Sequence, residues 1–218
     1  ADHLVEIHQT DGKNDILQQI EHGALSVVNG YLALGRLYRG IICNNLRQYV
    51  LLGDAAAMTH GVLGNDDDRW VFTENNPRRE MNTAVNLAVT ARVLRGFNDT
   101  LAVHCENIAK EIFASGIQTK DNLQAAVELY QTTGDRQYFD YIIANWDDCV
   151  KNAASCAWYL APVEKEMQGQ KKYKKHCAAF REALLTYRKQ LDLEVASEFI
   201  AMAAHIPRRI FLPSLMAS

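Results

Sequence analysis

At 218 residues, with 48% hydrophobic and 22% charged residues, the chain is long enough for one domain with a substantial core and too apolar for disorder. A formal charge of -3 and a pI near 6.2 leave no electrostatic footprint for nucleic acid, and the basic cluster KKYKK at 171–175 reads as a solvated helix start. No apolar run approaches the ~20 residues of a membrane span, and the opening ADHLVEIHQTDGKND is no signal peptide, so neither nucleic acid nor membrane is an expected partner.

Helical periodicity dominates, and no stretch sustains the period-2 alternation of a sheet protein. The first helix starts after Asn14 as N-cap, with Ile16, Leu17, Ile20, Ala24, Leu25, Val28 and Leu32 on one stripe, and fades over 30–35. Residues 38–64 are irregular, with a short helix expected over 54–59 and a polar loop after it. A helix follows over 79–94, burying Ala84, Leu87, Ala88, Ala91 and Leu94. GFND then turns the chain, with Gly96 in the left-handed position and Asn98 capping a helix from 99 to about 115.

SGIQTKDN ends that helix, and Asp121 or Thr119 caps the next. Residues 122–146 read as two helices joined at Gly134 and Asp135, the second placing Tyr138, Tyr141 and Ile142 against the first. Another helix spans 148 to about 160 and is ended by Pro162. A last long helix begins near 172 and keeps Cys177, Phe180, Leu184, Tyr187, Leu191, Val195, Phe199 and Met202 on one face. Short connections between successive helices imply antiparallel neighbours, so the expected class is all-α.

The five cysteines give no framework. Cys149 and Cys156, seven positions apart, are separated by about 10 Å of helix rise, beyond the roughly 4.4 to 6.8 Å of a disulfide. Small buried hydrophobes are the expected role of the cysteines. The seven histidines form no HExxH pattern, and no metal ligand is assigned.

The segment AAVELYQTTGDRQYFDYI, residues 125–142, resembles the helical hairpins of α/α toroids, including glycoside hydrolase family 9, the cellulase-type endoglucanases. Its neighbours resemble the same family in one consistent order over about 14–195: DILQQIEHGALSVV, then LYRGIICNNLRQYVLLGDAAAMT and DDRWVFTENNP, then the alanine-rich NTAVNLAVTARVLRGFNDTLAVHCENIAKEIF, and NWDDCVKNAASCAWYLA. The resemblance implies antiparallel helical hairpins forming part of an (α/α)6 barrel, with 1–218 a single partial catalytic domain. It also implies cleavage of β-1,4-glucan linkages with inversion, in a secreted or periplasmic setting; no cofactor is expected from the residues themselves, with calcium the one alternative.

Inversion needs a base and an acid on opposite faces of the sugar, roughly 6.5 to 9.5 Å apart. In the family these come from a DAGD-type motif before the matched part and an NE-type motif near the domain's end. Neither is present: Gly53 and Asp54 lack the paired aspartates, and no acidic residue follows Glu198. The implied catalytic carboxylates lie outside this chain, which alone is expected to be inactive. From about Glu198 the sequence departs from the family, and the tail 199–218 is unassigned.

Within DDDRWVFTENNP the acids Asp66 to Asp68 lack the glycine of an EF-hand, and a generic calcium site is the remaining metal reading. Trp70 is read either as a platform on which a sugar ring stacks or as an indole plugging the loop against the barrel. Arg69 and Arg47 either bind sugar hydroxyls or pair with neighbouring acids, the second being favoured. Trp146, which the resemblance places at a barrel rim, is a second candidate platform, while Asp147 and Asp148 suit the positive end of a helix dipole. Expected partners are therefore β-glucan and either the remainder of the catalytic domain or a second copy, since an open half-barrel exposes its terminal helices. The competing readings are a non-catalytic helical-hairpin domain that binds another protein, and a different α/α toroid hydrolase or lyase, against which DDRWVFT argues.

Overall fold

The computed structural model describes residues 6, 10–43, 62 and 69–205. Among them the chain is mostly helical, with eight α-helices and one two-stranded ribbon. It divides into two compact units, Ala1–Tyr138 and Phe139–Ser218.

In the first unit α1, Asp15–Leu34, begins as expected: the Asn14 side chain accepts a hydrogen bond from the Ile16 amide. Only part of its stripe is covered, for Ala24 and Val28 are buried while Ile16, Leu25 and Leu32 are exposed. The strands β1, Gly40–Cys43, and β2, Arg69–Phe72, pair antiparallel. This pairing departs from the irregular segment expected there. Each strand is only four residues long, too short for alternation to register, and its hydrogen-bonding partner is remote in sequence. The expected helix over 54–59 lies outside the described residues.

Helix α2, Pro77–Leu94, is the centre of this unit, packing against α1, α3 (Asp99–Ala114) and α4 (Asn122–Thr133). Pro77 occupies its first turn, where no intrahelical amide bond is lost, and the Asn76 side chain caps the Arg79 amide. All five expected core residues of α2 are buried, joined by Met81 and Val85. The alanines let the neighbouring helices approach closely, and the four-residue turn to α3 makes α2 and α3 a helical hairpin. Asn98 caps the Leu101 amide, and Gly96 and Gly134 take φ of +80° and +70°, the left-handed values that close helices.

Ahead of α4, of the two expected caps, the Thr119 hydroxyl accepts from the Asp121 amide at 3.1 Å. Asp121 makes no side-chain cap, and the buried Asn122, not expected from sequence, accepts from the Thr119 amide and hydroxyl and donates to the Ile117 carbonyl. The carboxamide can donate and accept at once, which a carboxylate cannot. One ion pair is seated inside this bundle: Arg92 on α2 reaches Glu128 on α4 at 2.7 Å and donates to the Thr132 hydroxyl at 2.9 Å.

The division between units falls within α5, Arg136–Ala144. In the second unit follow α6 (Trp146–Lys151), α7 (Ala153–Met167), a short 3-10 turn at Lys171–Tyr173 and α8 (Lys174–His205). The helix expected over 148–160 is thus two helices. Asn152 leaves helical geometry at φ -112° and ψ 28°, and its side chain bonds back to the Asp148 carbonyl. Pro162 does not end α7 but lies within it. The amide it lacks would have bonded the carbonyl of Trp158, a residue on the exposed side, where solvent can take that role.

Helix α8 buries Cys177 and Phe180 as expected, but Tyr187, Leu191 and Val195 on the same stripe are exposed. No described helix is long and apolar enough to cross a membrane.

Candidate functional site

The ribbon of the first unit carries the residues with the clearest binding character. β-Branched and aromatic residues (Ile41, Ile42, Trp70, Val71 and Phe72) favour the extended backbone, and the register sets Ile42 opposite Trp70 and Gly40 opposite Phe72. Alternation puts Trp70 and Phe72 on one face of β2, about 7 Å apart along the strand. Because Gly40 has no side chain, the strand opposite Phe72 covers nothing of its ring. Trp70 is 60% exposed and Phe72 48%.

A two-stranded ribbon is marginal alone, so its anchor matters. The Arg39 amide donates to the Phe72 carbonyl at 2.6 Å, extending the ladder, and the Arg39 guanidinium meets Glu74 at 2.7 Å. On the other side Arg79 from α2 meets the same carboxylate at 2.9 Å and donates to the Tyr38 carbonyl at 2.9 Å. Arg36 donates to the Glu74 carbonyl at 3.1 Å. Glu74 therefore clamps both strands, at the Gly40 and Phe72 end of the ribbon, to the start of α2. The hydrogen bond from Arg39 and the charge of both guanidinium groups hold its carboxyl below the usual range.

Beside this clamp Val27, Leu37, Tyr38, Arg39, Arg79 and Thr83 line a cavity of about 210 Å³. That volume falls below the roughly 300 to 1,000 Å³ of ordinary ligand pockets, which leaves the outer aromatic face as the better docking surface. A second concavity, of about 590 Å³, lies in the other unit and is lined by Asn152, Ser155, Glu182, Thr186, Tyr187 and Gln190, among others. Glu182 is the one carboxylate among its described lining residues, whereas inverting hydrolysis uses two.

The expected site residues divide between the two units, Arg69 and Trp70 in the first and Trp146 in the second. Trp70 stands on the exposed ribbon face. The Arg69 backbone pairs with Cys43 in the ribbon, while its side chain, Arg47 and Asp66 to Asp68 lie outside the described residues.

Trp146 is 3% exposed: its indole N–H donates to the His176 carbonyl at 3.0 Å and its ring packs on Phe180 at 5.6 Å. An indole covered on its faces offers no platform for a sugar, and Trp146 is a core residue of its unit. Asp147 and Asp148 sit in the first turn of α6, as the dipole argument expects.

Phe72 and the Arg39, Glu74 and Arg79 clamp were not singled out from sequence. The signal available was the period-2 pair Trp70 and Phe72, hidden by the shortness of the strand. Trp158 on α7 is a further exposed indole with no role assigned from sequence, its ring edge-on to Tyr159.

Burial acts to raise Glu106, but Lys110 and Arg95 outweigh it and hold its carboxyl below the usual range. A general acid needs the opposite shift, so neither Glu74 nor Glu106 is placed to donate a proton near neutrality. Cys105, Cys149, Cys156 and Cys177 are buried free thiols, and burial pushes Cys105 up to about 11 and Cys149 up to about 12, the reverse of a reactive thiolate. Among the described residues no cluster of three or more His, Cys, Asp or Glu is arranged to hold a metal.

Comparison with protein-family models, with curated proteins and with solved structures finds no match to this chain.

Proposed function

We propose that the chain is part of a glycoside hydrolase of the family 9 type, acting on β-1,4-glucan with inversion, and that Trp70 and Phe72 form a stacking platform for sugar rings in it. The observation that carries this reading is the exposed Trp70 and Phe72 face, anchored by the Arg39, Glu74 and Arg79 clamp. A pyranose presents apolar C–H surface to an aromatic ring while its hydroxyls stay solvated, and a rigidly held ring spends little entropy in stacking. The ordered resemblance over about 14–195 supports the same reading. On it, α2 to α4 belong to an (α/α)6 barrel, the acid and base come from outside this chain, and the protein works outside the cytoplasm.

Titration of the chain with a β-1,4-linked gluco-oligosaccharide, followed by calorimetry and by the Trp70-dependent part of the fluorescence, tests it. Saturable binding that Trp70→Ala weakens in a folded protein is the expected result. An unaltered heat and spectrum across the titration would remove β-glucan as the ligand.

A second reading, a non-catalytic helical domain that binds another protein, is favoured by the exposed apolar residues of α8, among them Leu191 and Val195. Capture of a reproducible protein partner together with no response to the oligosaccharide would put it first.

A further inference from the structure

The ribbon meets α2 across an excess of positive charge. Arg39 and Arg79 both bond the Glu74 carboxylate and Arg36 bonds the Glu74 carbonyl, so three guanidinium groups gather on a single carboxylate-bearing residue, leaving an excess of two positive charges. Arg39 meets Glu74 through one nitrogen, and Arg79 gives one nitrogen to Glu74 and one to the Tyr38 carbonyl. Each guanidinium keeps N–H donors beyond these.

Those two arginines border a space. Arg39 and Arg79 line the cavity of about 210 Å³ with Val27, Leu37, Tyr38 and Thr83, and no carboxylate is among its described lining residues. The hydroxyls of its lining are engaged locally: that of Tyr38 sits 3.0 Å from the Ser26 Oγ, and that of Thr83 donates to the Arg79 carbonyl at 2.9 Å. What the cavity offers a ligand is therefore cationic donors and apolar surface. At the roughly 30 Å³ that a water molecule takes up in the liquid, it has room for about seven atoms of that size. That is too little for a sugar ring with its hydroxyls and enough for a phosphate group with the first carbons of an ester.

We propose that this cavity binds a phosphate monoester, its phosphate on Arg39 and Arg79 and its first carbons on Val27 and Leu37. A phosphate monoester carries about two negative charges at neutral pH, which matches the excess in the cluster, and guanidinium forks meet phosphate oxygens in pairs. A carboxylate brings half that charge. Neither Trp70 nor Phe72 lines the cavity, so the proposal does not rest on β-glucan binding.

The test is calorimetric titration of the whole chain, at low ionic strength, with glycerol 3-phosphate, inorganic phosphate and acetate. Saturable binding of glycerol 3-phosphate is expected, several-fold tighter than that of inorganic phosphate, with no heat from acetate at the same concentration. Arg39→Gln is expected to weaken it by at least about ten-fold. Val27→Phe, which fills the cavity and leaves every charge in place, is expected to do the same while keeping the helical circular dichroism and the response to the gluco-oligosaccharide.

No heat from either phosphate would overturn the proposal. Binding indifferent to Arg39→Gln would remove the guanidinium from it, and binding indifferent to Val27→Phe would leave surface charge as the cause; either result overturns the cavity site. Equal affinity for the ester and for inorganic phosphate would overturn the placement of carbons on Val27 and Leu37 and give the site to free phosphate. Acetate bound as tightly as phosphate would overturn the match to a dianion.

Discussion

The ring of Tyr38 lies so close to the α-carbon of Gly30 that a methyl group at residue 30 would overlap its Cδ1 and Cε1 atoms, while the Tyr38 hydroxyl sits 3.0 Å from the Ser26 Oγ. Gly30 is inside α1, where alanine would ordinarily stabilise the helix by about 0.5 to 1 kcal/mol. The overlap reverses the sign. Gly30→Ala is expected to lower stability by about 1 to 2 kcal/mol in urea unfolding, and to become neutral or favourable when combined with Tyr38→Ala.

Glu74 joins the ribbon to α2, so Glu74→Gln is expected to loosen the ribbon while leaving the helical core intact. The Arg39 amide, bonded to the Phe72 carbonyl, should then exchange its hydrogen several-fold faster, with the α2 amides unchanged. The carboxyl lies below its ordinary value near 4.5 in the folded state, so its contribution is complete above that pH and is lost as pH falls through the lower folded value. Ribbon protection that is flat from pH 6 down through the acid range would contradict the clamp.

The Arg92 and Glu128 pair is mostly enclosed by the bundle, with the Thr132 hydroxyl 2.8 Å from the Ala88 and Glu128 carbonyl oxygens. Arg92→Met strands a carboxylate that is 8% exposed and is expected to cost about 3 kcal/mol. Adding Glu128→Leu should recover most of that loss, since removing both charges also removes their desolvation. Equal destabilisation in the single and double variants would show that the pair is not the source of the effect.

The Nδ1 atom of His176 is buried with no hydrogen-bond partner, and the ring stands edge-on to Trp146 and Tyr173. An unsatisfied polar atom costs about 1 to 3 kcal/mol, whereas a phenyl ring of similar shape keeps the aromatic contacts. His176→Phe is therefore expected to raise the midpoint of thermal unfolding. A lowered midpoint would mean that Nδ1 does have a partner in solution.

On the proposed function, Trp70→Ala and Phe72→Ala should each weaken oligosaccharide binding about three- to ten-fold, the range of a single aromatic stacking contact. Trp146→Phe should leave binding unchanged but lower stability, because it removes the indole donor to His176 from a buried site. Loss of binding in a folded Trp146→Phe variant would bring that residue back as a platform.

The sequence by itself determined the all-α class, the caps at Asn14 and Asn98, the turns at Gly96 and Gly134 and the buried face of α2. Each is written in residues within a turn or two of one another: a side chain meets an amide two or three positions on, and apolar spacing near 3.6 aligns one face. Tertiary structure alone decided the pairing of β1 with β2, the burial of Trp146 under Phe180, the exposure of Trp70 beside Phe72, and the point on α8 beyond which an apolar stripe goes uncovered. Those outcomes depend on which distant segment arrives opposite a given side chain. Trp70 and Trp146 are the same residue type, and only their neighbours in space make one a surface and the other a core.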